Sequence, residues 1–307
     1  MLTFSPAAFL AACPGAVAQG LIWGLLALGV YLTFKVLDFA DLTVDSGLCT
    51  GGAVSAMLIM GGMNPLLSLL FATLAGMCAG GITGLLHTKL KIPAILSGIL
   101  TQLALYSINM WIMGRANLTL LNAEVLLDMQ HTGRSILVAG AVCTVIIGLL
   151  YWFFGTELGC SIRATGNNAH MSRALGVNTD TTKILCLMLS NGLVGLSGGL
   201  LAQYNGYADI NMGRGAIVIG LAAVIIGEVI LGKIPNFAMK MASSILGAIV
   251  YYIIITLVLQ LRFPTTGLKL FSAVVVATAL AISNLKKPKI KRLSATADAA
   301  PAAGKAV

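Results

Sequence analysis

The sequence predicts an all-α fold, a polytopic membrane bundle of about 8–10 transmembrane helices. Apolar residues make up 58% of the chain and charged residues only 9%, against roughly 25% charged in ordinary soluble domains. Long apolar stretches recur from Ala16 to Ser283, each close to the ~20 residues that a helix needs to cross a bilayer. Strands of a membrane barrel would instead alternate over about 10 residues. The pattern excludes a soluble globule and a barrel.

Apolar stretches bounded by polar residues, Gly or Pro predict about nine helices in chain order. They lie near residues 16–34, 46–62, 65–86, 93–113, 135–154, 184–202, 215–231, 241–261 and 268–283. A broken helix within residues 35–62 would change this number by about one. Residues 1–285 therefore form the predicted transmembrane domain. Residues 286–307 form a basic tail without a packing pattern, and we expect it to be disordered.

The net charge of +9 comes from cations that lie between apolar stretches and in the tail, so we expect no nucleic acid partner. Basic segments at 87–91, 155–183, 233–240 and 286–292 are separated by two spans each. The positive-inside rule places all of them in the cytoplasm and places the loops at 114–134, 203–214 and 262–267 outside.

The sequence contains no catalytic constellation and no metal-binding motif. Its histidines, His87, His131 and His170, are far apart, and its six cysteines are scattered without a CxxC pair. Residues 227–233 match GxxxxGK, but Ile234 replaces the Ser or Thr that would hold magnesium, and the motif ends an apolar helix. We therefore expect no enzyme activity, no cofactor and no nucleotide site in this chain.

The longest polar stretch on the predicted inner side is residues 155–183. Asn167 or Asn168 can cap a short helix that Gly176 ends in the left-handed conformation. Met171 and Leu175 would share one face of it, with Ala174 beside them. Such a helix either lies on the membrane surface or docks in a groove of a cytoplasmic partner.

This stretch resembles the cytoplasmic coupling loop of one permease family, which serves ABC importers of branched-chain amino acids, ribose-type sugars and nucleosides. The matching positions are Thr156, Gly159, Arg163, Ala164, Gly166, Asn168, Ala174, Gly176 and Val177. Segments 41–47, 190–199 and 220–227 also resemble the family, so the resemblance extends from about residue 20 to 285. Glu228 and the turn at 233–235 depart from its usual glycines. Residues 105–114 resemble a less studied branch, which is often paired with binding proteins for aromatic amino acids.

The resemblance implies the permease subunit of an ABC importer in the bacterial inner membrane. It would form the path for a small polar solute. An amino acid is favoured over a sugar or a nucleoside. Implied partners are cytoplasmic ABC ATPase subunits, a periplasmic or lipid-anchored solute-binding protein and a second permease copy. The residues expected to couple to the ATPase are Arg163, Gly166, Asn168, Met171, Arg173, Ala174, Leu175 and Gly176. We expect Arg163 and Arg173 to pair with acidic residues of the ATPase.

Two alternatives remain open, a secondary transporter and a membrane scaffold protein. A secondary transporter needs intramembrane carboxylates for an ion site, and Glu228 is the one candidate in the predicted spans. It lies near the cytoplasmic end beside Lys233, so we favour a snorkelling side chain over proton coupling.

Polar residues within predicted spans are candidates for the substrate path because they are costly in lipid and usually face the interior. Gly98, Gln102, Tyr106 and Asn109 recur at helical spacing and form one stripe on the fourth span. Asn191 is a further candidate in the Gly-rich sixth span. Hydrogen bonding between helices explains such residues equally well.

Overall fold

The computed structural model describes residues 6–120, 123–232, 236–260, 270, 272–278 and 281. Within these residues the chain forms α1 (Pro6–Tyr31), a π-helical turn (Leu32–Val36), α2 (Val44–Met60), α3 (Pro65–Thr88), α4 (Ala94–Met113), β1 (Asn117–Thr119), α5 (Thr132–Phe154), α6 (Glu157–Asn167), α7 (Ala169–Ala174), α8 (Thr179–Asn205), β2 (Tyr207–Asp209), α9 (Ala216–Leu231) and α10 (Phe237–Gln260). The all-α prediction is confirmed.

Six of the described helices are long and apolar enough to cross a membrane, namely α1 with its π-helical turn, α3, α4, α5, α8 and α10. Two shorter apolar helices, α2 and α9, have 17 and 16 residues. These helices fall on the first eight predicted spans. The described residues 272–278 are helical and lie within the ninth. The predicted tail, 286–307, lies outside the described residues.

Helix α8 is the central element and packs most extensively against α3. Small residues let the two backbones approach, as is usual where helices meet in lipid. A Cβ atom at Gly76 would lie against the carbonyl oxygen of Asn191, and one at Gly80 against that of Leu187. The contact therefore depends on glycine at both positions, and it buries the middle of α8.

The chain is irregular between α1 and α2, whereas α2 itself is continuous from Val44 to Met60, so no broken helix adds a span in this stretch. After the π-helical turn, Asp38 adopts a left-handed conformation with φ of 56°, and α2 begins at Val44. Segment 37–43 is mostly buried, and the Thr43 N–H donates to Asp41 Oδ1 at 2.9 Å. The break brings polar side chains into the interior of the bundle.

Loops predicted to share one side of the membrane meet at the same end of the structure. At the predicted external end, β1 pairs with β2 in antiparallel register, with Leu118 opposite Ala208. At the predicted cytoplasmic end, Lys183 lies 3.4 Å from His87, and Arg163 lies over the ring of Phe237. The loops that the charge pattern assigns to one side of the membrane thus also lie together in the structure.

Candidate functional site

The predicted coupling segment contains the short helix expected after Asn168, which is α7, and a second helix before it, α6, which the sequence analysis did not predict. Thr156 caps α6 by accepting from the Gly159 N–H, and Asn168 caps α7 by accepting from the Met171 N–H at 3.0 Å. Asn168 itself is extended, with φ of −155°, so it ends one helix and starts the next. The sequence signal for α6 was Thr156, a favourable N-cap residue. It was missed because residues 157–167 are too polar to show an apolar helical pattern.

The face of α7 that carries Met171, Ala174 and Leu175 is exposed. Met171 exposes 61% of its surface and Leu175 exposes 73%, whereas Ser172 on the opposite face is buried. Gly176 follows with φ of 87°, the left-handed conformation that the sequence predicted. An apolar face left open on a short polar segment is typical of a docking surface.

Gly166 is a packing residue that holds α6 against the end of α1. A Cβ atom there would lie against the carbonyl oxygen of Val36, in the π-helical turn. Ile162, one turn earlier in α6, is fully buried. Gly166 therefore lets α6 pack closely on the π-helical turn, and it is not part of the exposed apolar face of α7.

Both arginines of the segment have partners within the chain. The Arg163 guanidinium lies 5.4 Å from the ring centroid of Phe237, at the start of α10, and donates to Cys160 Sγ at 3.5 Å. Arg173 donates to Thr179 Oγ1 at 2.7 Å and lies 3.7 Å from Asp180 Oδ1. These contacts help to hold α6 and α7 to the bundle, and both arginines stay exposed, so their pairing with the ATPase remains a prediction.

Asn191 lies at the centre of the bundle and is completely buried. Its amide nitrogen donates to Asp41 Oδ2 at 2.6 Å and to the Leu187 carbonyl oxygen at 3.1 Å. Its Oδ1 has no hydrogen-bond partner among the described residues and faces Gly47. Sequence reasoning missed Asp41, although the polar run 41–47 was visible as a break before the second span.

A chain of hydroxyl groups links this interior to α3 and α4. Thr43 Oγ1 lies 2.7 Å from Thr83 Oγ1, which donates to Thr101 Oγ1 at 2.9 Å. All three side chains are buried. Each hydroxyl finds a partner in the apolar interior, so the segment before α2 is fixed to two further helices.

The predicted stripe on α4 divides between two environments. Gly98 packs on Leu42, the Gln102 carbonyl oxygen accepts from Ser46 Oγ at 3.0 Å, and Asn109 is buried beside the Ser46 carbonyl oxygen. Tyr106 instead exposes 44% of its surface on the outside of the chain. The structure thus brings Asn109 and Asn191 to the start of α2. Gln102 contacts α2 through its backbone, and its side chain stays partly exposed one helical turn from Tyr106.

Asp45, in the first turn of α2, caps α9. Its two carboxylate oxygens accept from the backbone N–H groups of Gly215 and Ile217 at 3.0 and 2.9 Å. A carboxylate is favourable at a helix N-terminus because the unpaired N–H groups and the helix dipole attract it. Asp41, in the segment before α2, therefore holds α8, and Asp45, in the first turn of α2, holds α9. Sequence reasoning did not single out Asp45 either.

Glu228 forms a salt bridge with Lys35 at 2.9 Å, and each side chain is somewhat over a third exposed. The pair joins the π-helical turn to the end of α9. Lys233, on which the snorkelling argument relied, lies outside the described residues. An exposed paired carboxylate at a helix end is unlike the buried ion sites of secondary transporters.

A family described as the branched-chain amino acid transport system permease component matches residues 15–283. The chain belongs to this family. The match covers the coupling segment, the break before α2 and the central helix, so the family expected from the loop pattern is confirmed. This permease is accordingly a multi-pass membrane protein of a transport system, and it is not an enzyme.

Two named relatives match most of the permease. It is 39% identical over 270 residues to the tyrosine transport system permease protein of Clostridioides difficile (strain R20291), covering 88% of this chain and 90% of that protein. It is 31% identical over 294 residues to the autoinducer 2 import system permease protein LsrC of Yersinia pseudotuberculosis serotype O:1b (strain IP 31758), covering 89% of this chain and 80% of LsrC.

A solved structure shares the fold of the permease. PsaBC from Streptococcus pneumoniae in complex with Fab matches with a TM-score of 0.50 and 13% sequence identity, covering 92% of this chain and 95% of that chain. At this identity the likeness concerns the arrangement of helices alone.

Proposed function

We propose that this permease is the membrane subunit of an ABC importer in the bacterial inner membrane, and that its solute is an aromatic amino acid such as tyrosine. The observation that carries the proposal is the exposed apolar face of α7, a short helix that is tied to the central helix of the bundle. A relative of 39% identity named for tyrosine transport supports the solute class. LsrC makes a ribose-type solute the second candidate.

Helix α7 is the proposed binding site for the ATPase. Met171, Ala174 and Leu175 would enter a groove of that subunit, as an amphipathic helix does in its partner. Arg173 joins α7 to the first turn of α8 through Thr179. A displacement of α7 by the ATPase would therefore move α8 directly.

The same displacement would reach the interior through Asn191. Its hydrogen bond to Asp41 links α8 to the segment before α2, and the Asp45 cap links α2 to α9. The irregular backbone of residues 37–43 is the place where these helices can change their relative positions, since non-helical backbone at membrane depth occurs where protein surrounds it. We assign this region to the conformational change of transport.

The solute path is assigned to the side of α4 that carries Gln102 and Tyr106. Both side chains retain exposed surface, and a second copy of the permease facing this side would enclose them. We place Asn109 and Asn191 behind the path, where they fix α2. A solute-binding protein would deliver its ligand at the end formed by β1 and β2.

Reconstitution tests the proposal. The permease, its ATPase and its binding protein are placed in proteoliposomes, and uptake of labelled tyrosine and ribose is measured with ATP inside. We expect uptake of tyrosine that requires ATP hydrolysis and the binding protein. Uptake driven by a proton or sodium gradient without ATP would identify a secondary transporter, and ATP-dependent uptake of ribose alone would reassign the solute.

A further inference from the structure

A basic cleft opens at the predicted cytoplasmic end of the bundle, between the α3–α4 turn and the α7–α8 junction. Its cavity of about 590 Å³ is lined by His87, Lys91, Arg173, Asp180 and Lys183 among others. Three cations thus face one carboxylate. The transport path and the apolar face of α7 make no use of this cleft.

The hydrogen bonds of His87 fix the position of the Lys183 ammonium group. His87 Nδ1 lies 2.9 Å from the Ile92 carbonyl oxygen, which can only accept, so Nδ1 carries the proton. Nε2 is then an acceptor and receives a hydrogen bond from the Lys183 ammonium at 3.4 Å. The ring of Phe39 packs edge-on against His87 at 5.0 Å between centroids. Lys183 is therefore held at the cleft wall, and its other two N–H donors have no hydrogen-bond partner among the described residues and can bind a ligand.

Lys91 lies at the cleft in a backbone conformation that disfavours a side chain. Its φ is 56°, in the left-handed region, where glycine would fit without strain. Strained residues of this kind concentrate at ligand sites. None of the described residues places a carboxylate within salt-bridge distance of Lys91 or Lys183.

We propose that the cleft binds the phosphate group of an anionic ligand. Lysines and an arginine that converge on one cavity provide the charge and the N–H donors that phosphate oxygens require. The headgroup of an anionic phospholipid is one source, since basic pockets between helices at the cytoplasmic surface bind such headgroups. Ile95 and Leu96, at the start of α4 beside the cleft, are exposed and would meet the acyl chains. A soluble phosphate compound is the other source.

Thermal unfolding of the purified full-length chain in neutral detergent tests the site. Phosphatidylglycerol at about ten times its Kd should raise Tm by roughly 3 °C, whereas phosphatidylcholine should not. Lys91→Gly and Lys183→Gln should lose most of this rise. Lys89→Gln is the matched control, because Lys89 is an exposed lysine of the same turn that does not line the cavity. Lys91→Gly should unfold no earlier than wild type without lipid, because glycine relieves the strain.

Repeating the unfolding measurement with inorganic phosphate or ATP in place of lipid distinguishes a soluble ligand from a lipid headgroup. A Tm rise with either compound, lost in the same two variants, would support a soluble ligand, and a rise with phosphatidylglycerol alone would support a lipid. Equal effects of the two lipids, with no response to phosphate or ATP, would overturn the proposal. So would a phosphatidylglycerol response in Lys91→Gly and Lys183→Gln as large as in wild type. If Lys91→Gly kept that response but lost co-purification with the ATPase, the cleft would be a protein contact.

Discussion

The amide nitrogen of Asn191 lies 2.6 Å from Oδ2 of Asp41, although the two residues are 150 positions apart in the chain. Both side chains are buried in the middle of the bundle, where an unpaired charge is costly. The amide of Asn191 and the carboxylate of Asp41 therefore form one pair, and exchanging the two residues tests that pairing.

Asn191→Asp should destabilise the permease by about 3–5 kcal/mol, because it places a second carboxylate at hydrogen-bond distance from Asp41 in a buried site. The double variant Asp41→Asn with Asn191→Asp restores one amide and one carboxylate and should recover most of the loss. Thermal unfolding in detergent measures both. A double variant no more stable than Asn191→Asp alone would show that the direct pairing is not what matters there.

Ala174→Glu should abolish co-purification with the ATPase and solute-stimulated ATP hydrolysis, because it puts a charge where close packing is needed. The variant should fold normally, since Ala174 is exposed. Ala299→Glu makes the same chemical change outside the predicted coupling segment and should behave as wild type, as should truncation after Ser294. Wild-type transport by Ala174→Glu would refute the assignment of α7.

Gly166→Ala should cost about 1–3 kcal/mol, since the added methyl group overlaps the Val36 carbonyl oxygen and must displace α6. Gly140→Ala in α5 is the matched control, because nothing lies within 4 Å of a Cβ atom at that position. It should be neutral or slightly stabilising. Unfolding temperatures of the two variants give the comparison, and equal values would contradict the packing role.

Glu228→Gln should leave ATP-driven uptake nearly unchanged and alter stability by no more than about 1 kcal/mol, as expected for an exposed ion pair. The measurement is uptake in proteoliposomes between pH 6 and 8, with and without a proton gradient. Loss of uptake in this variant, together with dependence on the gradient in wild type, would favour proton coupling and a secondary transporter.

A reporter enzyme fused at Lys286 should be active in the cytoplasm, and one fused at Asn122 should be active outside. The expectation follows from the alternation of basic loops. The opposite pair of results would invert the whole topology, including the side on which α7 lies.

Apolar composition was sufficient to locate the helices because each span needs a long run of residues compatible with lipid. It could not show that Asp41 and Asp45 act as structural anchors, since their partners, Asn191 and the start of α9, are distant in sequence. The apolar face of α7 was predicted from helical spacing alone. The contacts of Arg163 with Phe237 and of Arg173 with Thr179 were not, because these partners lie on other helices.

The long separation between these anchors has a consequence for synthesis. Asp41 and Asp45 leave the ribosome 150 and 170 residues before Asn191 and Gly215. At about 5–20 residues per second, the first delay lasts roughly 8–30 s. During this interval Asp45 in α2 and Asp41 in the segment before it lack their native partners, and each carboxylate costs about 2.5–3.5 kcal/mol at the centre of a bilayer. Helix α2 must therefore wait at the insertion machinery or in contact with water until α8 and α9 have been made.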